Sequence, residues 1–316
     1  MRWILCGKND AAVRALEWLC SRGDEVFAVG VHGDAGRDGW QRSLRGVAER
    51  LGARFEQPRR INDPAVAERL AAFGARALVS IQYDQILRGE LLHGVGCPCL
   101  NLHFSLLPRH RGAAPIAWAI LSGDREAGAT LHEMVERIDA GDALAQRVVP
   151  IGPETTAREL YERVSAAASE LFETCYPFAD ALLSARRPQQ ESSATYRRSG
   201  ELDFSDLRAD FTRPAAELQR WLRAMIFPPF QLPETRLGAR RLAIRRVGGA
   251  LGDARGAPPG HVLASDEGGL EVAAVGGSLR LLELADPERP EVPAAALGRE
   301  IAVGARLGAA AAEPRA

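Results

Sequence analysis

Leu100-Asn101-Leu102-His103-Phe104-Ser105-Leu106-Leu107-Pro108 begins as an alternation of apolar and polar residues and ends at a proline. The alternation predicts a buried strand over Leu100–Phe104. The proline, with Arg109-His110-Arg111-Gly112 behind it, predicts that the strand gives way to a loop. Asn101 and His103 are two residues apart, so on an extended backbone both side chains point to one face, at the strand's end.

Outward from this strand the chain repeats one pattern. Upstream, apolar runs at Trp3–Cys6, Glu25–Val31 and Ala77–Ile81 read as strands, and Ala11–Ser21, Leu44–Leu51 and Pro64–Phe73 read as helices between them, with Asp10 placed to cap the first. Downstream, a helix is expected over Ala114–Leu121 and strands over Thr130–Val135 and Ala143–Val149. A long amphipathic helix follows over Thr155–Phe178, with Thr156 and Glu159 at capping-box spacing. Alternating strands and helices predict an α/β fold with a doubly wound, Rossmann-like parallel sheet over residues 1–188. Gly7 stands alone rather than in a Gly-x-Gly-x-x-Gly run, which gives no support to a dinucleotide cofactor.

Residues 189–200 are polar and read as a linker. Beyond them come a helix over Pro214–Met225, the stop Phe227-Pro-Pro-Phe230, and short strands at Leu242–Val247, His261–Ala264, Leu270–Ala274 and Ser278–Leu284. That pattern predicts a small C-terminal β-barrel, OB-like, over 201–307, with an Ala-rich tail at 308–316.

Composition narrows the function classes. At 316 residues, 46% apolar and 26% charged, the chain is globular rather than disordered. The net charge of −1 gives no global field toward nucleic acid, and residues 201–316 hold 15 Arg and no Lys against 16 acidic residues. Five cysteines without metal-ligand spacing read as reduced thiols, and histidines His32, His93, His110, His132 and His261 likewise lack that spacing, so no metal is expected. His110 reads as an exposed loop residue and His132 as a structural one. No apolar run reaches membrane-spanning length, and a cytoplasmic protein is expected.

The chemistry-bearing residues are Asn101, His103 and, in Asp139-Ala-Gly141-Asp142, the carboxylate of Asp139. An amide that can donate to a developing oxyanion, a proton carrier titrating near neutrality and an orienting acid are the groups that acyl transfer requires. Singly, each residue has a plain alternative: a turn cap, a buried imidazole, a turn aspartate.

Together with Ser105–Pro108 and Arg111-Gly112 they resemble the signature of the folate-dependent formyltransferases: Asn-x-His running into Ser-Leu-Leu-Pro, a nearby Arg-Gly, and an Asp about a helix and a strand later. The resemblance extends over most of the chain, the closing barrel included. It implies N10-formyltetrahydrofolate as formyl donor, an amine as acceptor, and Asn101, His103 and Asp139 as the catalytic residues. Ser105, Leu106, Leu107 and Pro108 match the family's folate loop. Gln85, Ile86 and Leu87, with Val135 and Ile138, align with other pterin-lining stretches.

The acceptor expected from this reading is a nucleotide-linked amino sugar. Thr130-Leu-His-Glu-Met134 and Trp118-Ala-Ile resemble the sugar-modifying branch, and the closing domain shows no basic surplus for docking RNA. Methionyl-tRNA is the alternative, on the likeness of Arg109–Pro115 to the loop of the tRNA enzymes. A formyl-folate hydrolase, formylation of a modified amino acid, and a homodimer are further readings. Ala113 stands where lipid-A-type sugar enzymes carry Arg, and Phe227-Pro-Pro-Phe230 replaces the family's Pro-Gly-Ala-Phe turn.

Overall fold

The computed structural model describes residues 1–308. The tail expected from 308 therefore lies, from 309 on, outside the described residues. The chain falls into two compact units. One comprises Met1–Pro115, Glu126–Pro150 and Glu162–Ser199; the other takes Ile116–Arg125, Ile151–Tyr161 and the chain from Gly200.

In the first unit apolar runs become strands, and amphipathic stretches become the helices that cover them. Their order is β1 (Arg2–Gly7), α1 (Asn9–Ser21), β2 (Glu25–Gly30), α2 (Leu44–Leu51), β3 (Arg54–Glu56), α3 (Pro64–Ala72), β4 (Ala77–Ile81), α4 (Gly89–Gly94), β5 (Cys99–His103) and β6 (Arg111–Gly112). Then come α5 (Pro115–Leu121), β7 (Glu126–Glu133), β8 (Ala143–Pro150), α6 (Ala157–Cys175), α7 (Ala179–Ser184) and β9 (Tyr196–Arg197), of which α5 from Ile116 and α6 up to Tyr161 count with the second unit.

Seven strands form one sheet in the order β3-β2-β1-β4-β5-β7-β8. The first five run parallel, and β7 and β8 are added antiparallel at the β5 side. The order reverses between β1 and β4, which makes their carboxyl ends a switch point of the kind where ligands bind in doubly wound sheets. Ile4, Phe27, Val29, Leu78 and Leu91 pack into one apolar cluster beside this sheet.

Local chemistry departs from expectation at one helix start and meets it at another. Asp10 does not cap α1, which begins at Asn9 without a side-chain cap; its carboxylate instead takes the Arg42 backbone N–H and guanidinium, both at 3.1 Å. The capping box at α6 does form. Glu159 accepts from the Thr156 N–H at 2.9 Å, and Thr156 Oγ1 accepts from the Glu159 N–H at 3.3 Å.

The second unit holds α8 (Ala215–Met225), β10 (Glu234–Leu237), β11 (Arg240–Leu251), β12 (Val262–Asp266), β13 (Gly269–Ala274), β14 (Gly277–Ala285) and α9 (Ala294–Glu300). Its five strands form an antiparallel sheet in the order β10-β11-β14-β13-β12. Both edge strands are bridged by the end of the described chain: Leu237 pairs with Leu307, and His261, just ahead of β12, pairs with Arg306. Leu218, Leu222, Leu242, Ile244, Leu270 and Leu281 form its core. The buried Arg223 fixes α8 to the 151–161 segment, bonding the carbonyls of Gly152 at 3.2 Å and Thr155 at 3.3 Å.

Candidate active site

β5 sits between β4 and the antiparallel β7, and the β5–β7 register places Asn101 opposite His132. Beyond Glu133 the chain turns through residues 134–142 before β8 begins, and this turn carries Asp139. Two features shape it. Asp139 itself adopts the left-handed region, at φ 52°. Gly141 packs so closely that an added Cβ would lie 2.0 Å from the Glu133 carbonyl oxygen.

The Asp139 carboxylate gathers the other groups around it. Its Oδ2 accepts the Gly112 N–H at 2.8 Å and lies 3.6 Å from His103 Nδ1. Its Oδ1 accepts from Asn101 Nδ2 at 3.3 Å and lies 3.5 Å from His132 Nε2. Asn101 Nδ2 is also 3.1 Å from His132 Nε2. Since a carbonyl can only accept, the 2.8 Å contact of His132 Nδ1 with the Glu133 carbonyl makes Nδ1 the protonated nitrogen and leaves Nε2 to accept from Asn101. The same argument applies to His103, whose Nε2 lies 2.9 Å from the His110 carbonyl. Its Nε2 carries hydrogen, and the basic nitrogen is Nδ1, facing Asp139.

Burial favours the uncharged imidazole and lowers the pKa of His103 against the opposing pull of Asp139 and the His110 carbonyl. Burial also works against ionising Asp139. His103 and His132, through the positive charge each brings when protonated, and the Gly112 N–H outweigh it and hold the carboxyl well below the ordinary range. A neutral base beside an ionised carboxylate can take up a proton and hold the resulting imidazolium.

The triad nominated from sequence is thus assembled in space, and two residues set aside there belong beside it. His132, read as structural, is 1% exposed and bonded to Asn101. His110, read as an exposed loop residue, is buried, and its carbonyl contacts His103.

The nominated folate residues divide. Ser105–Pro108 is pinned by Thr130 Oγ1, which donates to the Ser105 carbonyl at 2.7 Å and accepts the Leu107 N–H at 3.1 Å. Gln146 closes the loop from β8, donating to the Leu107 carbonyl at 2.7 Å. Gln85 spends its amide on the loop at Pro58–Ile61, and Leu87 lies in the core. Ile86 and Val135 are exposed apolar side chains, at 62% and 42%, while Ile138 is half-buried. The loops carrying the first two adjoin one another: a Cβ at Gly89 would lie 3.2 Å from Glu136 Cγ.

A third segment completes the site. Residues 189–197, within the stretch expected to link the two domains, lie against it. β9 pairs in parallel with β6, and Gln189 Nε2 donates to the carbonyls of Asp139 at 2.9 Å and Gly141 at 2.6 Å. Arg111, 1% exposed, is bonded to Gln189 and Glu191. Among the described residues no group of three His, Cys, Asp or Glu could hold a metal ion, and no helix is long and apolar enough to cross a membrane.

Comparison with known proteins gives a consistent family. Residues 31–175 match the family described as Formyl transferase, and residues 202–301 match its C-terminal domain. A methionyl-tRNA formyltransferase of Thiobacillus denitrificans is 36% identical over 98% of this chain and 100% of its own. One from Myxococcus xanthus is 36% identical over 96% of this chain and 97% of its own. A sugar 3N-formyl transferase solved with dTDP and 5-N-formyl-THF superposes with TM-score 0.70 at 21% identity, over 89% of this chain and 97% of that one.

These findings overturn the nucleotide-linked amino sugar as the expected acceptor. Methionyl-tRNA enzymes are similar to this chain over nearly its full length, and the sugar enzyme shares the fold at much lower identity. The net charge of the C-terminal domain does not report where its arginines sit. β11 alone carries Arg240, Arg241, Arg245 and Arg246, the last three exposed.

Proposed function

This chain belongs to the formyl transferase family and is a formyl-transferring enzyme, and from that premise we propose that it formylates the amino group of methionyl-tRNA with N10-formyltetrahydrofolate as donor. The observation that carries this reading is the 36% identity to a methionyl-tRNA formyltransferase along 98% of the chain. The carboxylate-centred cluster of Asn101, His103, His132 and Asp139 supports the chemistry.

In this reading the aminoacyl amine attacks the formyl carbon and a tetrahedral oxyanion forms. His103, neutral through burial, takes the proton lost by the amine and returns it to N10 of the folate as the C–N10 bond breaks. The products are the N-formyl amide and tetrahydrofolate, and His103 ends as it began. Asp139 stabilises the transient imidazolium. Asn101 donates to the oxyanion. Both its amide hydrogens are engaged in this arrangement, and the 3.3 Å bond to Asp139 is the longer, so it is the one exchanged for the oxyanion. Ile86 and Val135 offer exposed apolar surface suited to a flat pterin.

Docking of the tRNA is assigned to the C-terminal domain, where the exposed Arg241, Arg245 and Arg246 of β11 would supply phosphate contacts, Arg241 and Arg246 by exchanging their ion pairs with Glu234 and Glu154. Five free cysteines fit a reducing compartment, which supports the cytoplasm. The test is formyl transfer by the full chain to charged initiator tRNA, to the uncharged tRNA and to nucleotide-linked amino sugars, read by mass spectrometry. Transfer confined to the charged tRNA is expected; transfer confined to a sugar would overturn the assignment.

A further inference from the structure

We propose that residues 187–197 form a strap that sets the working position of the Asp139 carboxylate, with Gln189 as its positioning residue. The inference rests on the reading of Asp139 as the carboxylate of the reaction.

Asp139 has a backbone conformation that residues with a side chain rarely adopt, at φ 52°. Two hydrogen bonds from one side chain brace that turn, because Gln189 Nε2 donates to the carbonyls of Asp139 and Gly141 at 2.9 and 2.6 Å. Gln189 is itself braced: its Oε1 accepts from Arg111 Nε at 3.0 Å and Nη2 at 2.8 Å. Glu191 holds the same guanidinium at 2.8 Å and also takes Arg137, from the Asp139 loop, at 2.8 Å. One end of the strap is tied to β8, since Arg187 and Ala143 exchange backbone hydrogen bonds at 2.9 Å.

The other end governs the remaining partners of the catalytic pair. The Gly112 N–H that bonds Asp139 belongs to β6, whose pairing partner is β9 in the strap. The approach there is close enough that a Cβ on Gly112 would lie 2.1 Å from the Arg197 carbonyl oxygen. The His110 carbonyl that meets His103 is placed likewise, because the His110 N–H donates to Thr195 Oγ1 at 2.7 Å and the Arg111 N–H to the Thr195 carbonyl at 2.9 Å. Thus the backbone partners of both His103 and Asp139 are registered from one segment. A linker would need none of these bonds, and a purely stabilising tie would not converge on the two loops that touch the imidazole and the carboxylate.

The test uses the full chain with Gln189→Ala and Gln189→Glu. The second variant keeps an acceptor for Arg111 and removes the donors to Asp139 and Gly141. Three quantities are read: thermal melting, kcat and KM for formyl transfer, and the His103 titration by imidazole NMR. The groups facing His103 are Asp139, His132 and His110, and only Asp139 raises its pKa through charge. Both variants should melt close to the unsubstituted chain and lose kcat by about 10²-fold, the cost typical of a misplacement of about 1 Å. KM for the donor should stay within about twofold. In Gln189→Ala the His103 pKa should fall further, and the acid limb of the pH profile should move down with it; Gln189→Glu brings a carboxylate of its own and is read by kcat. Wild-type kcat in Gln189→Glu, an unmoved His103 titration in Gln189→Ala, or a loss of activity matching only the loss of folded protein would each overturn the proposal. If the unsubstituted chain formylates no tRNA, the function proposed above fails, yet the His103 titration still reads the strap.

Discussion

His103 Nδ1 lies 3.6 Å from Asp139 Oδ2, while Nε2 of the same ring lies 2.9 Å from the carbonyl oxygen of His110. The neutral ring is therefore hydrogenated at Nε2, and a proton gained during turnover settles on Nδ1, beside the carboxylate. Nitrogen chemical shifts of His103 in the resting protein should report the Nε2–H tautomer. A neutral Nδ1–H form would make Nε2 the basic nitrogen and overturn this assignment.

Replacing either partner should remove most of the activity and leave the fold. His103→Ala and Asp139→Asn are each expected to lower kcat by about 10²–10⁴-fold, the range of general acid–base assistance. Near-normal turnover by a folded variant would exclude the role.

Asn101→Ala should lower kcat by about 10²–10³-fold while donor affinity changes little, because its donation acts on the transition state. Equal losses in kcat and in folate binding would make Asn101 a binding residue.

His132→Leu strips the acceptor from one Asn101 hydrogen in a buried place, a loss of about 1–3 kcal/mol. His132→Gln, which can accept there, should recover much of both stability and turnover. Chemical denaturation alongside steady-state kinetics separates the two.

Acid should inactivate before it unfolds. His103 has a folded pKa below its unfolded value of about 6.5, so the unfolded chain binds more protons. Its contribution to stability is present above about pH 6.5 and is lost as pH falls through the folded value. Asp139, also lowered, acts in the same sense further into acid. Activity should thus rise from acid through neutrality, and further as the acceptor amine loses its proton, with α-amino groups titrating at about 7.7–8.0. A kcat/KM profile that rises toward acid would contradict this.

Much of the Asn101–His103–Asp139 cluster was legible in sequence, since the relevant signals are local. The alternation at Leu100–Phe104 marks β5 because side chains alternate along any strand, and Asp139 stands out beside Gly141. What was hidden depends on pairing across the chain. His132 meets Asn101 only through the β5–β7 register, which no stretch of sequence states. β3, Arg54–Glu56, has the polarity of a loop and is a strand only because β2 offers it an edge. Residues 189–197 have a linker's composition, and their polar side chains are instead spent on Arg111, Asp139 and Gly141. The β11 arginines vanish into a balanced total.

The bridges from Leu307 and Arg306 to Leu237 and His261 have a practical side. A chain trimmed to end before Gly304 would lose these bonds and bare the backbone of two edge strands at once. Each bared edge is a template for another molecule's strand. Such a product should precipitate or form ladders of copies while the first unit remains folded. Shortened forms of this enzyme are best judged by light scattering before they are judged by rate.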